Sequence, residues 1–218
     1  MVAVGVLCAA SACGSAKPAK PPAPVKPLSS LGHLRPAPDP GELGPELVPI
    51  PDAPPLAPAG SKARLGKSVD GIKCQVNERL VLHHHVYLTM FVNGEPRLLP
   101  LSIGIWPPLG PRDFRHGQLG ITRGNCFSWL STHYPDWIIH VEAPIRRTFV
   151  LGEFFAVWGQ PLSRSQVGPA RGEVTAIVNG SVWTDDPRRI PLRSHTQIQL
   201  EVGKPLVAPQ TIDFPGSF

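Results

Sequence analysis

Residues 80–92 read LVLHHHVYLTMFV and close on the turn Asn93-Gly94. The stretch alternates with period two, and side chains two apart on a strand point the same way. Leu80, Leu82, His84, Val86, Leu88, Met90 and Val92 form one face; Val81, His83, His85, Tyr87, Thr89 and Phe91 form the other. His83 and His85 therefore project together, with a phenol next in line. Two imidazoles side by side on a strand are the beginning of a metal site. His84 and Met90 have the opposite parity and stay outside it.

A second alternating run follows at residues 137–143. Trp137, Ile139, Val141 and Ala143 share one face, Ile138, His140 and Glu142 the other, and Pro144 ends the run. His140 and Glu142 would converge on His83 and His85 if the two polar faces meet, and His133, in the preceding turn, is placed to join them. The candidate ligand set is His83, His85, His133, His140 and Glu142. Neutral imidazole suits zinc, copper, nickel or iron, and the usual affinity order favours copper. The plainer reading stands beside it: the triple His is a polar strand end and His140 a hydrogen-bonded core residue. His33, His116 and His195 receive no role.

The same period-two logic sets the fold class. Asn93-Gly94 and Asn179-Gly180 are strong hairpin turns. A return strand is expected at 97–105, on a sheet edge because Pro100 removes a ladder donor. Residues 106–124 read as a long loop, a candidate lid or partner surface. Between 148 and 158 the period lengthens, and Phe149, Leu151, Phe154, Phe155 and Trp158 suit the apolar stripe of one short helix stopped by Gly159. Strands follow at 173–178, 189–192 and 196–202, and the tail from Gly203 is expected to run over the surface. The fold class is α+β, mainly β: antiparallel hairpins with one short helix, and a β-grasp-like C-terminal layer over residues 126–202 that the first hairpin extends or covers.

Half of the 28 prolines precede Ser61. Residues 14–67 show little apolar periodicity and are expected to form a disordered, partly polyproline-like tether. Residues 68–218 then form a single β-rich domain of ordinary size. Residues 1–13, MVAVGVLCAASAC, resemble the apolar region of a secretory signal, although no Lys or Arg precedes it. Ala10-Ser11-Ala12-Cys13 resembles a bacterial lipobox, which makes Cys13 the lipidation site. The expected location is the outer face of the cytoplasmic membrane, held by a lipid anchor; an ordinary cleaved signal and a buried apolar start are the alternatives. Outside the cell, the remaining pair Cys74 and Cys126 is most simply a disulfide, with thiolate ligation as the rival reading. The formal charge of +5 comes from scattered basic residues and fits an anionic bilayer better than nucleic acid, which is not an expected partner.

Several blocks together resemble a largely uncharacterised family of exported bacterial and archaeal proteins. Its members carry H-x-H-x-H-L, a hairpin ending in Asn-Gly, C-x-x-W-L-H-T-H-D, G-I-I-H-I-E-x-P and L-G-x-F-F-x-x-W-G. His83, His85, Leu88, Asn93 and Gly94 match the first blocks. Cys126, Trp129, Leu130, Thr132 and His133 match the next, and Ile138, Ile139, His140, Glu142 and Pro144 the third. Leu151, Gly152, Phe154, Phe155, Trp158 and Gly159 match the last. Tyr87, Ser131 and Tyr134 replace two His and an Asp of the family pattern, and Trp137 replaces a Gly, so the chain is a divergent member. The family's wealth of His implies a metal.

No G-x-S-x-G, paired-His protease motif or phosphate loop is present, and no catalytic residue is assigned. Three readings follow. The first is an exported lipoprotein with a His-rich copper or zinc site for binding or buffering. The second is a non-catalytic envelope module docking to another membrane or secreted protein, with Trp106, Trp137 or Trp183 as anchors. The third is a metal-dependent hydrolase with Glu142 as base beside a metal-bound water.

Overall fold

The computed structural model describes residues 24–60, 65–78, 80–110, 112–113 and 119–216. Strands β1 (Val25–Pro27), β2 (Glu42–Leu43), β3 (Pro49–Ile50), β4 (Ser68–Val69) and β5 (Ile72–Gln75) precede β6 (Leu82–Val92), the longest. β7 (Glu95–Arg97), β8 (Ile105–Pro108), β9 (Arg112–Asp113), β10 (Leu119–Gly120), β11 (Gly124–Ser128), β12 (Leu130–Ser131), β13 (Ile138–Ala143) and β14 (Phe149–Val150) lead to the helix α1 (Leu151–Trp158). After it come β15 (Leu162–Ser163), β16 (Gln166–Val167), β17 (Ala170–Arg171), β18 (Val174–Val178), β19 (Ser181–Trp183), β20 (Pro191–Leu192) and β21 (Gln197–Val202). The described residues are mainly β with one short α-helix, the expected class.

The main sheet runs β1-β19-β18-β21-β6-β13-β12, with β7 also on β6. β6 pairs antiparallel with β13 through its first half and with β7 through its last residues, while β21 lies parallel along its other edge. The sequence reading made this hairpin an extension or cover of a layer beginning at Cys126. Instead β6 lies inside the sheet. Taken from β6, the order hairpin, helix, hairpin, with β6 and β21 as parallel neighbours, is grasp-like. Parallel pairing of distant strands leaves no local signal, because it needs a long crossover rather than a turn.

Two other expectations change. The return strand ends at Arg97, ahead of Pro100, which cannot donate to a ladder; residues 101–104 form a turn in which Ser102 and Gly104 take positive φ. A Cβ on Gly104 would run into the backbone of Leu130, so glycine lets this turn lie against β12. The Asn-Gly turns behave as read: Asn93, Gly94, Asn179 and Gly180 all have positive φ, as a primed hairpin turn requires.

Both faces of the sheet are covered. Val86, Leu88 and Met90 join Ile139, Val141 and Ala143 in the main core with α1, whose Leu151, Phe154, Phe155, Val157 and Trp158 are buried. Gly159 closes that helix at φ 81°. At its start only half a capping box forms: Val150 has no polar side chain, and the Val150 N–H donates to Glu153 Oε2 at 2.9 Å. On the opposite face Tyr87, Phe91, Trp137 and Ile138 form a second core with Val48 and Val207.

That second core overturns the tether over residues 24–60. Val48 is fully buried, β1 pairs with β19, and β2 and β3 form a hairpin. The C-terminal tail also packs rather than skimming the surface. Its backbone is held by one β-bridge, between Arg35 and Val207, and otherwise by side chains. Gln199 Nε2 donates to Val207 O, Gln199 Oε1 accepts from Gln210 N–H, Gln197 exchanges two bonds with Ile212, and the Glu201 carboxylate accepts from Val207 N–H. Proline-rich chain can make few ladder bonds, and buried backbone groups need partners. The polar face of β21 supplies them, so Pro-rich segments from both ends cover one sheet face.

Candidate metal centre

The register of β6 against β13 builds the centre. His83 lies directly opposite Glu142, and His85 opposite His140. Directly opposed residues on one face of an antiparallel pair have neighbouring side chains, so H-x-H facing H-x-E makes a block of four ligands. His85 Nε2 is 3.1 Å from His140 Nδ1, and His83 Nε2 is 3.5 Å from Glu142 Oε1. The His83 and His85 rings are 4.9 Å apart and the His85 and His140 rings 4.6 Å.

His133 arrives from the β12–β13 connection, its ring 4.3 Å from that of His140 and its Nε2 4.0 Å from Glu142 Oε2. Thr132 fixes this approach. Its hydroxyl donates to Pro100 O at 2.7 Å and accepts from the Ile103 N–H, and its backbone bonds to Ile103 and Ser102. The His133 carbonyl accepts from the Ile121 N–H. All five candidate ligands thus lie at one end of the sheet. Among the described residues, His83, His85 and His140 form one compact set, and His133, His140 and Glu142 another, with ligand atoms within 4.8 Å of one another in each. These His and Glu groups could hold a metal ion.

Two carboxylates that the sequence reading missed complete the surroundings. Glu46, at the tip of the β2–β3 hairpin, places Oε1 2.9 Å from His140 Nε2, close but out of line for a hydrogen bond. The adjacent Leu47 has φ 60° there, an uncommon conformation for a branched residue. Glu78, between β5 and β6, places Oε1 3.9 Å from His133 Nε2. Asp136 lies against Glu46, and its Oδ1 accepts from the Ile138 N–H at 3.0 Å. A proton shared by these two buried carboxyls would satisfy the oxygens that otherwise lack a partner.

Burial sets the charge state. It pulls His85 down to about 2, and His133 and His140 down to about 3, with the neighbouring rings adding to the effect. Burial also pushes Glu142 up to about 8, with Glu78 and Glu46 adding, and raises Glu46, Glu78 and Asp136. Near neutral pH the buried imidazoles are bases without protons and Glu142 tends to hold one. Neutral imidazole is the form that ligates metal, and a cation would return the carboxyls to their ionised state.

Cys74 and Cys126 form a disulfide with Cα atoms 5.3 Å apart, joining β5 to β11; they are not thiolate ligands. Met90 packs in the main core, and His84 Nε2 is bonded to Leu192 O at 3.2 Å. Trp137 is not on the face its parity suggested. It precedes β13, packs against Tyr87 and Phe91, and donates to Arg97 O at 2.8 Å; fully buried, it cannot anchor a partner. The candidate lipidation site Cys13 and His116 lie outside the described residues. Among the described residues no helix is long and apolar enough to cross a membrane.

No family model matches the chain, and neither a curated protein nor a solved structure matches it.

Proposed function

We propose that this chain is a metal-binding lipoprotein, anchored through Cys13 at the outer face of the cytoplasmic membrane, where it binds and buffers copper or zinc. The observation that carries the metal reading is the opposed pairing of His83 and His85 with Glu142 and His140, joined by His133 in a buried setting. A plain hydrogen-bonded core would satisfy its polar atoms, yet His133 Nε2 and Glu142 Oε2 find no hydrogen-bond partner among the described residues. Imidazole with carboxylate suits Zn(II) and Cu(II), and the affinity order favours Cu(II) where both are present.

Dialysis of the metal-free full chain against Zn(II) or Cu(II), followed by elemental analysis, tests the reading. The wild type should bind metal, and His83→Ala with His140→Ala should weaken binding by roughly tenfold or more. Unchanged stoichiometry and affinity would remove it. The anchor has its own test: a palmitate label present in the wild type and lost in Cys13→Ala.

The second reading, an envelope docking module, is favoured by an apolar cleft of about 300 Å³ lined by Pro55, Pro58, Ala59, Leu98, Pro100 and Leu101. Of the three tryptophans first considered as anchors, Trp106 is the exposed one. Absence of bound metal, together with a stoichiometric partner in a membrane-fraction pull-down, would favour this reading.

A further inference from the structure

We infer that the centre takes two divalent transition-metal ions bridged by the Glu142 carboxylate, one at His83, His85 and His140 and the other at His133 and Glu78. The inference rests on the metal-binding reading above and extends it from one ion to two.

The two oxygens of Glu142 face different neighbours. Oε1 is 3.5 Å from His83 Nε2, while Oε2 is 4.0 Å from His133 Nε2. Ligand atoms about 2.0–2.2 Å from one tetrahedral zinc ion are separated from each other by roughly 3.4 Å. The His83–Glu142 and His85–His140 separations, 3.5 and 3.1 Å, fit that spacing. His83, His85 and His140 thus form one compact set with Glu142 Oε1 beside His83, and His133 lies outside that set.

His133 has carboxylates of its own on two sides. His133 Nε2 and Glu142 Oε2 are buried without a hydrogen-bond partner among the described residues, and Glu78 Oε1 stands 3.9 Å from His133 Nε2. Burying such atoms unsatisfied is costly, and a cation between them would remove the cost. The Glu78 side chain is one-third exposed, which gives a second ion a way in and an exchangeable ligand. Glu46 then falls behind the first subsite. Its oxygen, 2.9 Å from His140 Nε2, sits where carboxylates commonly orient a metal-bound imidazole, leaving Nδ1 to face the ion. A shared carboxylate would hold the ions about 3.5–4 Å apart. The second subsite, with one imidazole, two carboxylates and fewer ligands, is the weaker of the two.

Zinc stoichiometry of the full chain, by equilibrium dialysis against Zn(II) and elemental analysis, decides the matter. Two ions per wild-type chain are expected, with Glu78→Gln and His133→Ala each reduced to one while the tighter site is kept. Glu78 is partly exposed, so its variant should fold; circular dichroism of both variants checks this. One ion in the wild type overturns the second subsite and leaves the metal reading standing. No ion overturns both. Two ions that persist in both variants overturn the assignment of His133 and Glu78.

Discussion

Glu142 sits opposite His83, with His133 on its other side and no cationic side chain within ion-pair distance among the described residues. That setting has a pH signature. Unfolded, the histidines take up protons near 6.5; folded, His85, His133 and His140 resist until about 2 to 3. Across that interval the unfolded chain holds more protons, so stability rises with pH up to about 6.5. The carboxyls act the other way. Glu142 ionises near 4.5 unfolded and near 8 folded, and Glu46 and Glu78 shift in the same direction. Their contribution is complete below 4.5 and is lost as pH rises toward 8. Above 6.5 only the carboxyl trend remains. The melting temperature of the metal-free protein should therefore fall between pH 6.5 and 8, and saturating Zn(II) should reverse the fall. Calorimetry at both pH values, with and without zinc, checks this; a metal-free midpoint that climbs over that interval would show that Glu142 is not held protonated. The residues of the centre were partly readable in advance. Parity alone put His83 with His85 and His140 with Glu142. Glu46 and Glu78 gave no such sign, because each is a lone acid in irregular chain and its approach depends on distant packing.

Elements bring these residues together, and two devices fix the elements. One is the β6–β13 register, which hydrophobic alternation specifies strongly; a slip of one residue in β6 would turn His83 and His85 toward the main core. The other is the Cys74–Cys126 disulfide, which ties β5, just before Glu78, to β11, just before His133. Cross-linking a 52-residue separation removes loop entropy worth about 4 kcal/mol from the unfolded chain. Cys74→Ser with Cys126→Ser should lower unfolding stability by about 2–4 kcal/mol in urea titration. It should also weaken zinc binding at His133 and Glu78 more than at His83 and His85. Equal loss at both, or no change in urea midpoint, would contradict the tethering role. Helix α1 and the Asn-Gly hairpins were legible because each rests on a local period or turn chemistry. The strand expected at 97–105 failed because Pro100 interrupts it and residues 101–104 turn instead, with Ser102 and Gly104 at positive φ. Ser131 pairs with His140, and Tyr87, next on the face of His83 and His85, packs on Trp137. They join the packing around the ligands rather than the ligand set.

At the scale of the whole molecule, composition misled most. A stretch with half the prolines read as unstructured, yet it supplies Val48 to a core and Glu46 to the centre. Its folding depends on the finished sheet beneath it, which no window of its own sequence reveals. The same dependence makes the covering segments removable in principle but costly. Removing residues 204–218 strips Val207 and Phe214 from the second core and leaves Gln197, Gln199 and Glu201 without their backbone partners. This truncated chain should melt well below the full one in calorimetry and bind a dye specific for exposed apolar surface. An unchanged melting temperature would show that the tail is merely draped.

One consequence lies in the order of synthesis. β21, the parallel neighbour of β6, follows every other strand of the described residues in chain order. Until it emerges, the long central strand has an open flank over residues 87–92. The nascent chain thus cannot close its main sheet along β6 until residues 197–202 have been made, however early the hairpin that begins with β6 is complete.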